Sequence, residues 1–403
     1  MKQGSISGRR RPLLITFIVV ALLVVITRFV TLKSATALDL DKSGIFSMMY
    51  NENDKKQEEF LKKLEKMQLL FYAKQEERLA NLERQNEILL EQVRLLKVPP
   101  MEMSIRDKLV YMTPYDPKCK FPAYIWQSWK HGLNDDRFDE AYKEGQAQWA
   151  FKNPGFVHEL FNDDTSYTVI RHLYSYVPEV LEAYESLPEL ILKMDFFRYL
   201  ILFARGGVYA DVDTYPLQPV PNWIPENVSP TELGLIISVG TDSSSPNWKQ
   251  ENHRRLEFGQ FVIQSKPGHP ILREIIAQIT DNTLRRKLEL KDGERLGLST
   301  SPNQRQLDIS RWTGAGIWTD VVMGYLNDYV KSSIYQSVSW REFHALDVPK
   351  LVSDILVLPI KSFASDLEIP KDNKVSDPIA FVKHYMASIG RPPSINRGDW
   401  GSI

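Results

Sequence analysis

The run "ELILKMDFFRYLILFARGGVYADVD", Glu189–Asp213, joins a helix to a strand through two glycines. It is apolar almost all round up to Arg205, the mark of a buried helix. Gly206-Gly207 end it in the manner of a helix C-terminus. "VYADVD" then reads as a strand, and the side-chain period of two puts Asp211 and Asp213 on one side of it.

The alternation recurs along the chain. Strands are expected at Ala123–Trp129 ("AYIWQSW"), in "GFVHELFNDD" up to Asn162, and at Leu235–Val239, Phe258–Ile263 and Ile355–Ile360. Helices are expected near Asp139–Trp149, between Thr165 and Glu185, and at His269–Arg286 and Gly316–Val330. This pattern predicts an α/β fold, a sheet flanked by helices on both faces. Ligands bind beyond the carboxyl ends of such strands, where Asp211 and Asp213 fall. The polar stretch from Leu288 to Ser310 reads as a loop, a candidate lid or insertion.

Two carboxylates this close raise each other's pKa unless a cation compensates. Their hard oxygens suit Mg²⁺ or Mn²⁺, which could bridge a diphosphate and neutralise a departing nucleotide. Other readings of D-x-D exist. A phosphatase nucleophile motif wants Thr or Val where Tyr215 stands. A calcium loop wants glycine where Pro216 stands. Two aspartates in a polar turn is the plain alternative. Asp195 and Arg198, spaced i, i+3, share one face of an apolar helix. They form a mutual ion pair, or both reach the site and hold sugar hydroxyls or phosphate.

The 403 residues carry 50 Lys+Arg against 51 Asp+Glu. No basic excess marks a nucleic-acid track. Arg9-Arg10-Arg11 precede an uncharged apolar run, Pro12–Thr27, with Arg28 and Lys33 after it. That run covers about 24 Å as a helix. With "RFVTL" added and Arg28 snorkelling, residues 12–32 span a thin bilayer. A cleaved signal peptide is the rival, since Ala35-Thr36-Ala37 resembles a cleavage site. The arginines put residues 1–11 in the cytosol and the rest in the lumen, a type II topology. Cys119 is the single cysteine, so no intrachain disulfide forms; it is a free thiol or pairs with another chain. Asn227-Val228-Ser229 is a glycosylation sequon followed by Pro230.

The stem, residues 33–110, is expected to hold a coiled coil over about 53–97, the alternative being a long solvated spacer helix. Phe60, Leu64, Met67 and Phe71 fall on a heptad seam, as do Leu79, Leu82, Asn86, Leu89, Val93 and Leu96. The halves differ in phase by one residue, which predicts local unwinding between Phe71 and Leu79. A core Asn86 favours one register. The α/β domain is expected over 111–390, with a tail at 391–403.

"DFFRYLILFARGGVYADVD" resembles the signature of the D-x-D sugar-transfer family that includes the fungal initiation-specific α-1,6-mannosyltransferases. Its pattern, D-x-x-R-Y then G-G-x-Y-x-D-x-D, matches Asp195, Arg198, Tyr199, Gly206, Gly207, Tyr209, Asp211 and Asp213. "IWQSW", "IQSKPGHPILREI", "WTGAGIWTD" and "FVKH" are similar too, over about residues 110 to 388. The stem and "NWIPE" resemble the homologue that is a subunit of the Golgi mannan polymerase complex.

The resemblance implies a GT-A fold, a nucleotide-sugar-binding mixed sheet, in a Golgi membrane protein. It implies GDP-mannose as donor, Mn²⁺ (or Mg²⁺) as cofactor and α-1,6 transfer with retention to a mannosyl glycan acceptor. Partner mannosyltransferase subunits would join through the stem; the alternative is a mainly non-catalytic assembly subunit. Asp211 and Asp213 would hold the metal, and Asp195 and Arg198 the donor sugar. Trp126 would lie against the nucleobase or pack in the core, with Tyr209 also on the donor side. His384 matches the family's late histidine, a third metal ligand, although Ile389 stands where the family has Trp. "TGAG", Thr313–Gly316, opens a helix, and the N–H groups of Gly314 and Gly316 could face phosphate. Asp320 is an acceptor-side candidate and His269 reads as structural.

Overall fold

The computed structural model describes residues 54–96, 99–100, 102–250, 252–291, 294–328, 337–367 and 376–385. The expected membrane span, 12–32, and the tail, 391–403, lie outside these residues. No helix among the described residues is long and apolar enough to cross a membrane. Contacts divide the chain at Gln92 into two units.

The first unit holds most of helix α1 (Asp54–Leu96). It contains no glycine or proline and runs unbroken through Phe71–Leu79. Among the described seam residues Phe60, Leu64, Met67, Phe71, Leu79, Leu82 and Leu89 are all exposed, Met67 by 64%.

The second unit opens with α2 (Ile105–Met112) and is built on one mixed sheet. Its first strands are β1 (Tyr124–Ser128), β2 (Val157–Phe161) and β3 (Gly207–Ala210). Later come β5 (Leu235–Asp242), β6 (Leu256–Phe258), β7 (Val262–Ser265), β8 (Lys350–Val352) and β9 (Ile355–Leu358). The order is β2-β1-β3-β7-β5-β9-β8, with β6 on the outer half of β5. β2, β1 and β3 are parallel, β7 runs antiparallel to β3 and β5, and β9 is parallel to β5. The carboxyl ends of β1, β2, β3, β5 and β9 therefore share one edge. A separate ribbon pairs β4 (Thr214–Pro216) with β10 (Val382–His384) at that edge.

The strands read as apolar runs because both faces are covered. Leu235, Ile237 and Val239 join the larger core, and Ile236 joins the smaller one on the other face. Helices α3 (Glu140–Lys152), α4 (Asp163–Leu173), α5 (Pro178–Ser186), α6 (Leu190–Arg205), α7 (Pro270–Leu288), α8 (Pro302–Trp312), α9 (Ala315–Asp328) and α10 (Ile360–Phe363) flank it. Helix α6 supplies the most buried stripe, from Phe196 to Phe203, and this seals Asp195 and Arg198 inside. Gly206 ends it at φ +65° and Gly207 follows at φ +95°. A Cβ on Gly207 would lie 2.7 Å from the Tyr124 carbonyl oxygen, so the helix can turn this tightly onto β1 only through glycine.

Three sequence expectations are corrected. β3 ends at Ala210, so Asp211 and Asp213 stand in a turn rather than on one side of a strand. The Phe258–Ile263 run breaks at Gly259–Phe261 into two strands. Residues 302–310 of the expected polar loop belong to α8, whose Ile309 and Trp312 are buried; the Trp312 indole donates to the Thr283 hydroxyl.

Candidate active site

Asp211 leaves the end of β3 with its N–H donating to the Phe261 carbonyl at 2.8 Å. The Thr214 hydroxyl donates to the Asp211 carbonyl and closes the turn that carries Asp213. β10 pairs His384 opposite Thr214, which brings the imidazole to the same turn. One ligand atom each from Asp211, Asp213 and His384 then lie within 4.8 Å of one another. His384 Nε2 is 3.3 Å from Asp213 Oδ1, without the alignment of a hydrogen bond. Both ring nitrogens are buried without a hydrogen-bond partner among the described residues. The Phe261 ring stacks on the imidazole at 4.2 Å and holds its plane. Two carboxylates and a buried, unpaired imidazole fit a divalent cation of the Mn²⁺ type.

Arg198 lies between two acids. Its Nη2 donates to Asp195 Oδ1 at 2.7 Å and its Nη1 to Asp211 Oδ1 at 3.0 Å. Nη1 also donates to the Gln260 carbonyl, and the guanidinium lies 4.9 Å from the centre of the Tyr209 ring. The Tyr209 hydroxyl donates to Asp211 Oδ1. The i, i+3 pair thus both forms an ion pair and reaches the acidic turn. Burial lifts the Asp195 carboxyl to about 6, against the pull of Arg198. Burial lifts Asp211 as well, opposed by Arg198 and assisted by the Asp213 charge. With Asp213 beside this pair, the site holds three carboxylates and one guanidinium. When ionised they leave two negative charges in excess, the charge a divalent cation balances.

Other expected residues fall elsewhere. Trp126 is nearly buried, stacks on Tyr124 at 4.7 Å and donates from its indole to the Gly206 carbonyl. It lines a 560 Å³ cavity whose walls include none of Asp195, Arg198, Asp211, Asp213 or His384. Aromatics beside the acidic turn include Phe138 and Tyr142, buried with Val212, and Trp129, which packs against that cluster and meets the Tyr142 ring edge-on at 5.2 Å. The Gly314 N–H donates to the Ile309 carbonyl and the Gly316 N–H to the Ser310 hydroxyl. These groups hold the turn and are not free for phosphate. Asp320 is paired with Arg254, and buried His269 caps α7.

Two site residues escaped the sequence reading. The Gln260 side chain donates to Asp195 Oδ1 at 3.1 Å and accepts from the Tyr199 hydroxyl at 2.6 Å. The Thr313 hydroxyl donates to Asp195 Oδ2 at 3.1 Å. Gln260 was visible as a polar break inside "FGQFVI". Thr313 stands in "TGAG", and nothing local in that motif records its contact with Asp195, 118 residues away.

A family described as a glycosyltransferase sugar-binding region containing the DXD motif matches residues 139–230. A Saccharomyces cerevisiae protein named as a glycosyltransferase, HOC1, is 44% identical over 299 residues, 74% of this chain and 73% of that one. The chain belongs to the DXD-motif glycosyltransferases. Within these glycosyltransferases, the Candida albicans initiation-specific α-1,6-mannosyltransferase is 41% identical over 300 residues, covering 72% and 77% of the two chains. The solved PaToxG glycosyltransferase is similar at a TM-score of 0.34 and 14% identity, over 56% of this chain and 77% of that one, a likeness too loose to carry an argument. The DXD-glycosyltransferase match takes in Asp195, Arg198, Tyr209, Asp211 and Asp213, and stops before Gln260, Thr313 and His384.

Proposed function

We propose that the chain is a Golgi α-1,6-mannosyltransferase of GT-A type. It transfers mannose from GDP-mannose, with retention, to mannose residues of N-glycan outer chains. The observation that carries this reading is the convergence of Asp211, Asp213 and His384 beside Arg198 at the carboxyl edge of the sheet. The relatives named as α-1,6-mannosyltransferases support the sugar and the linkage.

Asp211, Asp213 and His384 would hold Mn²⁺, which when bound neutralises charge on the donor diphosphate and on the departing nucleotide. Arg198 adds fixed positive charge in a site largely closed to water, where it counts most. Asp195 accepts a hydroxyl of the donor sugar. Trp129 takes the nucleobase role first expected of Trp126, because it is the aromatic of the cluster around Val212 that stays partly exposed. Asp195 and Asp211 are already hydrogen-bonded to Arg198, which supports same-face attack over either acting as a carboxylate nucleophile. The leaving phosphate then accepts the acceptor's proton. Residues 12–32 are the membrane anchor in this reading, and α1 joins the chain to other mannosyltransferase subunits.

The exposed seam of α1 favours a second reading, a chiefly assembling subunit. The test assays the full-length protein in detergent with GDP-mannose, a mannose oligosaccharide and Mn²⁺. Asp211→Asn and Asp213→Asn each lower transfer by about 10²-fold or more. Unchanged transfer in both variants rejects the enzyme reading. Absent transfer in the wild type, with its complex intact, favours assembly.

A further inference from the structure

A carboxylate offers about four acceptor positions. On Asp195, Oδ1 accepts from Arg198 Nη2 and Gln260 Nε2, and Oδ2 accepts from the Thr313 hydroxyl. Three positions are therefore filled within the described residues and one remains, on Oδ2. The Asp195 side chain is 4% exposed.

The partners that fix this arrangement come from far away in sequence. Gln260 sits on the loop between β6 and β7, where its carbonyl also takes Arg198 and its side chain also takes the Tyr199 hydroxyl. Thr313 is fully buried in the turn between α8 and α9. Buried threonines in helical contexts commonly return their hydroxyl to a nearby carbonyl. Here the hydroxyl reaches across 118 residues to a carboxylate. The turn is rigid, because the Gly314 and Gly316 N–H groups are bonded within it.

We propose that Thr313 and Gln260 are positioning residues that set donor-sugar specificity, by leaving Asp195 one acceptor atom aimed at one sugar hydroxyl. This rests on the reading of Asp195 as the donor-sugar carboxylate. With either donor removed, the carboxylate can rotate or accept a second hydroxyl, and selection at that position relaxes.

The test uses full-length protein, Mn²⁺, GDP-mannose and its 2-, 3-, 4- and 6-deoxy analogues, with Thr313→Val, Thr313→Ser and Gln260→Leu. Valine nearly conserves the threonine volume, so the Thr313→Val core stays filled. In the wild type one deoxy donor loses about 10²-fold in kcat/KM by forfeiting a hydrogen bond to a charged group. In Thr313→Val and Gln260→Leu that one penalty collapses while the penalties at other positions stay. Transfer from GDP-mannose falls by about 10–10²-fold, through kcat more than KM. GDP affinity, read by calorimetry, stays near wild type, and Thr313→Ser restores the penalty. The inference is overturned if both variants keep the full penalty, or if they lose GDP affinity in step with kcat. A wild type that uses no GDP-hexose rejects the underlying function instead, and this inference with it.

Discussion

Asp195 is a carboxylate that burial pushes up to about 6 while Arg198 holds it down. Above that pH it is ionised and its last lone pair can accept a sugar hydroxyl; below it a proton competes for the carboxylate. Transfer should therefore fall on the acid side with a midpoint near 6, measured as a pH profile of kcat at saturating Mn²⁺ and donor. Asp195→Asn has no carboxyl to titrate, so its residual rate should lack that limb. The metal end gives a second test. His384 offers two unpaired, buried ring nitrogens, so His384→Ala should raise the Mn²⁺ concentration for half-maximal activity by about 10-fold or more. The same residues show what a sequence can reveal. Asp195, Arg198, Asp211 and Asp213 stand out because their spacing within one helix and one turn is local. Gln260 and Thr313 act on Asp195 from 65 and 118 residues away, and no local spacing records such contacts. His384 was readable only through family likeness, since its approach to Asp213 depends on the β4–β10 pairing.

The elements were legible where they bury a periodic face. α6, β5 and β9 followed from apolar runs closed by Gly206-Gly207 or by polar turns. The end of β3 was misread because "VYADVD" continues a strand pattern that hydrogen bonds do not. Asp211 pairs with Phe261 and then turns, since the Thr214 hydroxyl takes the Asp211 carbonyl. α8 was missed because polar residues dominate it and only Ile309 and Trp312 are buried. Gly207 carries the α6–β3 junction. Its φ of +95° and the close Tyr124 carbonyl predict that Gly207→Ala costs about 2–3 kcal/mol or more, read as a drop in the denaturation midpoint. The seam of α1 makes a different prediction. If it pairs with another helix, Leu82→Lys with Leu89→Lys should reduce the assembled mass in sedimentation while transfer per chain persists. Unchanged mass would leave α1 a spacer.

Over the whole molecule, the catalytic edge of the sheet is balanced by a polar knot at the other edge. Asp354 precedes β9 and accepts from the hydroxyls of Tyr115, ahead of β1, and Tyr325, on α9. His269, at the start of α7, lies 3.4 Å from the same carboxylate. One acid thus ties the chain segment before β1, two helices and the sheet's amino-terminal edge. Burial alone would push the Asp354 carboxyl up, but the contacts with His269, Tyr115 and Tyr325 outweigh it and hold the pKa at about 2. The folded value lies below the ordinary one, so the stabilisation is complete above about pH 4 and is lost as pH falls toward 2. Asp354→Ala should cost about 2 kcal/mol at neutral pH by stranding its donors. That corresponds to about 3 °C in Tm for a unit of this size. Asp354→Asn should flatten the acid limb of stability between pH 4 and 2, followed by circular dichroism. Because the knot lies across the sheet from Asp211 and Asp213, Mn²⁺ affinity at neutral pH should stay unchanged in both variants. A loss of metal affinity parallel to the loss of stability would mean that the two edges are one cooperative unit whose acidic turn is held in shape from below.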